Sequence, residues 1–263
     1  LDPNDVTNND LPAQFFLSND DIGKNRAVSS LAGLKRLNPN VDIVADTQDA
    51  LEKPDEFFGE FNIVCAFGLP LHQMVKINNS CRTQQTKFFC SCVNGFVGYL
   101  FIDLLEHVFA EDKTEKAKPD VKVQEDVVKT IQCKVDYVAL TSAMKTSWKD
   151  VKLSRHNSKL FFFFYVISEY HLKFSILPCD DDDNNMDALK TVRDDALKQL
   201  NVESKAVSDD DLKSMMSATC ELGPVCAIMG GVLTNEIIKA VSVCMFVTRL
   251  LLLLLMLMLV LLL

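Results

Sequence analysis

One segment near the start of the chain limits the fold because its pattern is that of a helix followed at once by a strand. Asp20 or Asp21 is suited to cap a helix N-terminus, where a carboxylate accepts hydrogen bonds from free backbone N–H groups. Asn38-Pro39 then ends the helix, and the apolar run Val41–Val44 is predicted to be a strand. Three apolar residues fall on one helix face: Ala27, Leu31 and Leu34. This order predicts an α/β fold.

The region that follows repeats the alternation of strand and helix. Asn62–Phe67 has the composition of a buried strand. A helix is predicted over about Pro70–Cys81, with the proline in the first turn, where its missing N–H costs nothing. Strands are predicted over Lys87–Cys92 and Gly98–Leu105, and residues 106–111 continue the extended chain. Such alternation is typical of a doubly wound sheet.

The composition changes between Glu111 and Lys129, where charged residues replace apolar ones. This stretch is predicted to be a solvated loop that leads into an insert. Lys134–Thr141 is strand-like, and Trp148 with the run Leu160–Ile167 is predicted to belong to a buried helix. Apolar stripes predict three more helices, over residues 186–200, over 209–220 with Ser208 or Asp209 as cap, and over 225–240. We therefore divide the chain into residues 1–115, 116–220, 221–241 and 242–263.

Charge and cysteine usage exclude several function classes. The net charge of −9 over 263 residues, with no basic stripe, argues against non-specific nucleic-acid binding. The nine cysteines are scattered without a disulfide framework, which is typical of a reducing compartment. Cys90 and Cys92 would share one face of a strand and are predicted to fill the core, not to bind zinc. Asp180–Asp183 lacks the ligand spacing of a calcium loop and is predicted to be solvated.

Three segments carry a resemblance to a known family. Asp21-Ile22-Gly23-Lys24-Asn25-Arg26, the turn Cys92–Tyr99, and the segment Pro224–Lys239 resemble ThiF/MoeB-type adenylating domains, in the version found in ubiquitin-like-modifier activating enzymes. The resemblance covers roughly residues 1–240 and implies a Rossmann-like sheet with a mainly helical insert. The motif and interface residues that it suggests are Asp21, Gly23, Lys24, Asn25, Arg26, Gly95, Gly98, Pro224, Gly230, Gly231 and Glu236. Gly230-Gly231 in a helix implies close packing against the sheet or another subunit.

The resemblance implies an incomplete nucleotide site. The first strand and the glycine loop that would hold phosphates are absent, so the sheet is expected to be incomplete. Asp2 and Gln14 stand where a ribose-binding acid and a glutamine would be, whereas Ala13 and Arg26 replace an arginine and a lysine. His72 stands in place of the metal-binding aspartate. Cys179 precedes a run of aspartates, which would raise a thiol pKa, and is expected to be inert.

These departures imply no catalytic residue and no metal ligand, and only Asp2, Gln14 and Arg26 as vestigial cofactor-binding candidates. The resemblance implies a regulatory subunit that forms a heterodimer with a cysteine-bearing catalytic subunit. The partner would bind ATP and magnesium and transfer SUMO, in the nucleus and cytoplasm. The alternatives are another ubiquitin-like modifier, a self-sufficient adenylating enzyme, or a scaffold anchored to a membrane by residues 250–263. That tail is wholly apolar but shorter than the ~20 residues that span a bilayer.

Overall fold

The computed structural model describes residues 1–115, 127–149, 159–178, 183–217 and 220–241. Its central feature is a three-stranded sheet in the order β1-β2-β3. The strands are β1 (Ile63–Phe67), β2 (Lys87–Asn94) and β3 (Val97–Asp103). β1 and β2 are parallel, whereas β2 and β3 are antiparallel and joined by a tight turn. The helix α3 (Leu71–Thr83) connects β1 to β2, at the position between these strands where a helix was predicted.

Helices cover both faces of this sheet. Phe88 and Cys90 of β2 pack with Met74 of α3 on one face. Phe89 of β2 packs on the other face with Met229 of α8 (Gly223–Val241). A strand buried on both sides must be apolar at consecutive positions, which explains the Phe88-Phe89-Cys90 run. The doubly wound α/β prediction is confirmed, and Cys90 and Cys92 fill the core on the α3 face.

The first helix begins later than predicted. The helix α1 spans Arg26–Leu37, and Asn25 caps it by accepting a hydrogen bond from the Val28 N–H. Asp21 instead accepts hydrogen bonds from the backbone and hydroxyl of Ser18, closing a short 3-10 turn over Asn19–Asp21. The prediction of Asp20 or Asp21 as the helix cap was therefore wrong. Gly23, with φ of +82°, breaks the helical path between that turn and α1.

The predicted strand Val41–Val44 is not a strand in the structure. The Val41 N–H donates to the Asn38 carbonyl at 3.4 Å, which belongs to the turn after α1, and the next backbone hydrogen bond, from the Asp2 N–H to the Asp46 carbonyl at 3.0 Å, lies beyond the end of the segment. Val44 is 86% exposed. A strand is stabilised by the ladder it shares with a neighbour, and no described strand lies beside this run. Apolar composition alone was therefore insufficient to form it.

A two-stranded antiparallel ribbon leads away from the sheet. It consists of β4 (Glu106–Glu115) and β5 (Val127–Asp136). The solvated loop predicted for Glu111–Lys129 was wrong at both ends, because ladder pairing with β5 keeps the charged residues of β4 in a strand. The strand predicted over Lys134–Thr141 matches only the end of β5, and Leu140 begins the short helix α4 (Leu140–Met144). Residues 116–126 lie outside the described residues.

The insert is mainly helical, as predicted. Its helices α5 (Leu160–Phe174), α6 (Asp183–Gln199) and α7 (Asp209–Ser217) share one core. Trp148 lies before α5 and not in a helix, so its predicted place in the buried helix was wrong, but its ring lies against Phe161 and Phe162, with ring centroids 5.1 Å apart in each pair. Ser208 caps α7 by accepting a hydrogen bond from the Asp211 N–H, while the Asp211 carboxylate accepts from the Ser208 N–H. A further short helix, α2, covers Asp55–Phe58.

A buried polar cluster ties the sheet to the start of the insert. Asp103, at the end of β3, is fully buried and accepts hydrogen bonds from Arg82 Nη1 at 2.7 Å and Asn78 Nδ2 at 2.8 Å. The Asn78 side-chain oxygen accepts from the Leu140 N–H at 2.9 Å. Arg82 also donates to the Tyr137 carbonyl. Because buried polar groups need partners, this cluster fixes where β5 ends and α4 begins.

Candidate functional site

The strongest cluster of charged groups near the family motif is built around Arg26, the first residue of α1. Its Nε donates to Asp2 Oδ2 at 2.8 Å and its Nη2 to Asp2 Oδ1 at 3.1 Å. Its Nη1 donates to Asp10 Oδ1 at 2.7 Å. A planar guanidinium that meets one carboxylate with two nitrogens and another with the third is held in a single orientation. Arg26 is therefore positioned by the chain itself.

The motif backbone holds these partners in place. The N–H of Gly23 donates to the Val6 carbonyl at 2.9 Å, and the Lys24 carbonyl accepts from the Val6 N–H at 2.8 Å. The Asn25 side chain donates to the Asp2 carbonyl at 2.8 Å. Val6 is buried beneath this pairing. The motif segment thus brings the first residues of the chain against the start of α1, which places Asp2 beside Arg26.

The electrostatics of the cluster favour its ionised form. Burial by itself would raise the pKa of Asp10, but hydrogen bonds from the Thr7 hydroxyl and N–H and from Arg26 outweigh it, so the pKa is lowered. Burial would also lower the pKa of Arg26, yet the hydrogen bonds to Asp2 and Asp10 raise it. One guanidinium and two carboxylates leave the cluster with a net negative charge at neutral pH.

A shallow cavity of about 200 Å³ adjoins this cluster. Asp2, Gln14 and Arg26 all line it, so the structure brings together the three vestigial candidates named from the sequence. Its apolar wall is formed by α1 and the extended segment after it: Ala27, Leu31, Leu34, Ile43, Val44 and Ala45. The predicted apolar face of α1 therefore lines this cavity. The role of the three candidates stays a prediction.

These residues do not fit the phosphates of ATP. A phosphate needs donors that are free to approach it, and Nε, Nη1 and Nη2 of Arg26 all donate to carboxylates within the chain. The negative charge of Asp2 and Asp10 would also repel it. Within the part of the chain that the structure describes, no three His, Cys, Asp or Glu residues come together as a metal site. His72 is an exposed residue in the first turn of α3.

The glycines of the second motif have a packing role. Gly95, with φ of +58°, forms the turn between β2 and β3, and its N–H donates to the Cys220 carbonyl at 2.7 Å. A Cβ at Gly98 would lie 3.0 Å from the Met229 side chain, so this glycine permits the close approach of α8 to β3. The place of Gly95 and Gly98 in a family motif stays a prediction.

The glycine pair of α8 differs from its predicted environment. Apart from the adjoining residues and backbone of α8 itself, no atom of the described residues lies within 4 Å of where a Cβ would stand at Gly230 or Gly231, and both residues are exposed. Packing of this pair against the sheet was therefore the wrong expectation, and the pair faces away from β3. On the same helix, Pro224 is exposed in the first turn and Glu236 forms an ion pair with Lys239 at 2.7 Å. Contact with another subunit remains a prediction.

Burial makes several cysteine thiols less acidic. It raises the pKa of Cys65 to about 11 and, with smaller contributions from nearby acids, those of Cys81 and Cys92 to about 12. A nucleophilic cysteine needs the opposite shift, because the thiolate is the reactive form. These three thiols are therefore unsuited to form a thioester. Cys179, predicted to be inert, lies outside the described residues.

The sequence reasoning missed Asp10. Asp10 lies in a polar loop without periodicity, and only folding brings it to Arg26, which is sixteen positions away in the chain. The polar run from Asn8 to Asp10 gave no pattern by which it could be found.

Comparison with known protein families matches residues 1–257 to the ThiF family. The chain belongs to the ThiF family. Similar proteins are SUMO-activating enzyme subunit 1 of Homo sapiens, 32% identical over 257 residues, and that of Xenopus laevis, 34% identical over 260 residues. The alignments cover 92% of this chain and 73% and 74% of those two proteins. The subunit 1 of Danio rerio is 30% identical over 262 residues.

The ThiF match extends further than the motifs indicated. The motifs placed the end of the resemblance near residue 240, whereas the match continues to residue 257, through most of the apolar tail. The helix α8 is long and apolar enough to cross a membrane by length and composition. However, Met229 and Leu233 are buried against the sheet, and the ThiF match includes the whole helix. The comparisons give no support to a membrane anchor in the tail.

Proposed function

We propose that this chain is the regulatory subunit, without a catalytic cysteine, of a heterodimeric SUMO-activating enzyme. It supports the ATP-dependent adenylation of SUMO and its transfer to a thioester, both of which take place on the partner subunit. The proposal rests on similarity over most of the chain to proteins named SUMO-activating enzyme subunit 1. Those names favour SUMO over another ubiquitin-like modifier.

The observation that supports the regulatory role is that Arg26 is hydrogen-bonded to Asp2 and Asp10 within the chain. Each nitrogen of its guanidinium donates to Asp2 or Asp10, in the cavity where the resemblance would place a nucleotide. A chain with this arrangement does not grip the phosphates, and ATP and magnesium are then bound by the partner. The raised pKa values of Cys65, Cys81 and Cys92 agree with a thioester cysteine in the partner. The proposed location is the nucleus, with a cytoplasmic fraction.

The test has two stages. The chain is first co-expressed with the cysteine-bearing subunit and recovered through an affinity tag on that subunit. ATP–pyrophosphate exchange is then measured with SUMO present, for the chain alone, the partner alone and the pair. We expect a stable pair, exchange by the pair, and none by this chain alone. Exchange by the chain alone, or failure to pair, would overturn the proposal.

The Arg26→Lys variant sharpens this test. Lysine is the residue expected at this position in ATP-binding members, but an ammonium donates from one nitrogen and cannot reproduce the planar fork by which Arg26 meets Asp2 and Asp10 from three nitrogens. We expect the variant to pair normally and still to show no exchange alone. Saturable ATP binding by Arg26→Lys in isothermal titration, absent from the unmodified chain, would show that one substitution separates this site from a working one.

A further inference from the structure

One face of the β4–β5 ribbon is buried, and it contains a histidine. His107 and Phe109 of β4 are both buried, whereas Glu106 and Val108, which alternate with them, are exposed. The His107 ring stacks on the Phe109 ring with centroids 6.1 Å apart, and Val135 is the residue opposite His107 in the ladder. Successive side chains of a strand point to opposite faces, so His107, Phe109 and Val135 form the inner face of the ribbon.

His107 lies where the ribbon joins the sheet. Lys87, the first residue of β2, is near the His107 ring, and its Nζ donates to the Ala240 carbonyl near the end of α8 at 2.9 Å. Leu105, between β3 and β4, has a φ of +60°, which residues with a Cβ seldom adopt, and its carbonyl accepts from the Tyr137 N–H at 2.7 Å. The ribbon is therefore attached through a sharp bend, and His107 is packed beside that bend.

The surroundings of His107 suit a neutral imidazole and not an imidazolium. Its Nε2 is buried and has no hydrogen-bond partner among the residues that the structure describes. Protonation puts a hydrogen on both ring nitrogens, so Nε2 would become a buried donor without an acceptor. Burial lowers the pKa of His107, and the charge of Lys87 lowers it further.

The described part of the chain offers no carboxylate to offset that charge. Asp136 lies opposite Glu106 on the exposed face of the ribbon. The other ionised groups on the neighbouring elements occur as pairs: Glu106 with Lys134, Glu236 with Lys239, and Asp103 with Arg82. Lys87 is therefore the charged group that acts on His107, and it opposes protonation.

We propose that His107 makes the attachment of the β4–β5 ribbon depend on pH: the inner face stays packed while the imidazole is neutral, and the ribbon opens at Leu105 when the imidazole takes a proton from solvent. Opening gives the Nε2 hydrogen a water acceptor and moves the imidazolium away from Lys87. The neutral ring stabilises the attachment fully above pH 6.5, the ordinary pKa of histidine, and this stabilisation is lost as the pH falls toward the lowered value of the folded chain. The inference is independent of the proposed function.

Hydrogen exchange of the full chain tests the proposal, with each rate corrected for the direct effect of pH on amide exchange. The pH is lowered from about one unit above 6.5 to about one unit below it. We expect the protection of the β4 and β5 amides to fall several-fold, and at most about tenfold, since one unit of pKa difference is a tenfold change in the opening equilibrium. Amides of α1, a helix without histidine, should keep their protection. Unchanged protection of the ribbon would overturn the proposal.

Two variants assign the effect to one histidine. His107→Phe keeps an aromatic ring beside Phe109 but cannot titrate, and His72→Gln removes an exposed histidine of α3. We expect the pH dependence of ribbon protection to disappear in His107→Phe and to remain in His72→Gln. The same result in both variants, whether loss or persistence, would overturn the proposal.

A measurement on the unmodified chain decides the matter if circular dichroism shows that His107→Phe is not folded. The His107 ring is titrated by nuclear magnetic resonance over the same pH range. We expect the ring to take up its proton at the pH at which the ribbon loses protection. A ring that titrates while the ribbon stays protected would contradict the proposal.

Discussion

Two arginine–aspartate clusters in this molecule use the same chemistry in different surroundings. Arg26 meets Asp2 and Asp10 at the edge of a cavity, where both acids retain some contact with solvent. Arg82 meets Asp103, whose side chain is fully buried and which also accepts a hydrogen bond from Asn78. The exposed cluster orders an N-terminal segment, whereas the buried one joins α3, β3 and the entrance to the insert. The degree of burial therefore decides whether such a pair mainly sets the charge of its local segment or contributes to the stability of the whole fold.

The largest expected effect is that of Asp103→Ala. The substitution leaves the Asn78 amide and the Leu105 N–H without their acceptor and separates Arg82 from its charge partner. Breaking a buried pair from one side costs about 3 kcal/mol in the free energy of unfolding. Urea denaturation of this variant and of Asp10→Ala measures the contrast. If Asp103→Ala lost no more free energy of unfolding than Asp10→Ala, burial would not distinguish the two clusters.

Asn78→Ala should have the next largest effect. The variant removes one donor to Asp103 and the acceptor of the Leu140 N–H, but it leaves the Arg82–Asp103 pair intact. The buried Leu140 N–H left without an acceptor, together with the lost hydrogen bond to the Asp103 carboxylate, costs about 2 kcal/mol in the free energy of unfolding. Denaturation again measures the loss. Hydrogen exchange of the Leu140 amide supplies an independent readout, because that amide should exchange faster than in the unmodified chain.

Asp10→Asn should have a smaller, pH-dependent effect. Its pKa is lowered in the folded chain, so the ionised form stabilises the fold above the ordinary value of 3.8, and that contribution is lost as the pH falls through the folded value. At neutral pH the variant should lose about 0.5–1 kcal/mol, since the pair is partly exposed. The difference between the two proteins should shrink on acidification below pH 3.8. A difference that stayed constant there would exclude titration of Asp10 as its cause.

The smallest effect is expected for Lys134→Ala. Its ion pair with Glu106 has a distance of 2.6 Å, shorter than those around Arg26, but both side chains are more than half exposed. Solvent screening and side-chain entropy cancel most of the attraction in such a pair. We expect no change in the denaturation midpoint. A loss comparable to that of Asp10→Asn would show that distance, and not burial, ranks these pairs.

Much of the fold could be predicted because the relevant signals are local. The strand β1, the helix α3 and the helices of the insert follow from apolar periodicity, which depends on neighbours within two turns. The failures have a common cause. Val41–Val44 has the composition of a strand but pairs with no strand among the described residues, and β4 is rich in charge but is held in a ladder by β5. Both outcomes depend on segments that lie beside the strand in space.

The site was predicted in part for the same reason. The motif around Gly23–Arg26 identified the family, because a turn with positive φ and a helix cap are encoded in consecutive residues. The pairing of Arg26 was not encoded in that motif, because its partners Asp2 and Asp10 lie 24 and 16 positions away and reach it only after folding. The core of the insert likewise forms only once α5, α6 and α7 pack together. The sequence by itself determined the family and most helices, whereas the tertiary structure decided which charges are paired and which remain free, because pairing depends on distance in space.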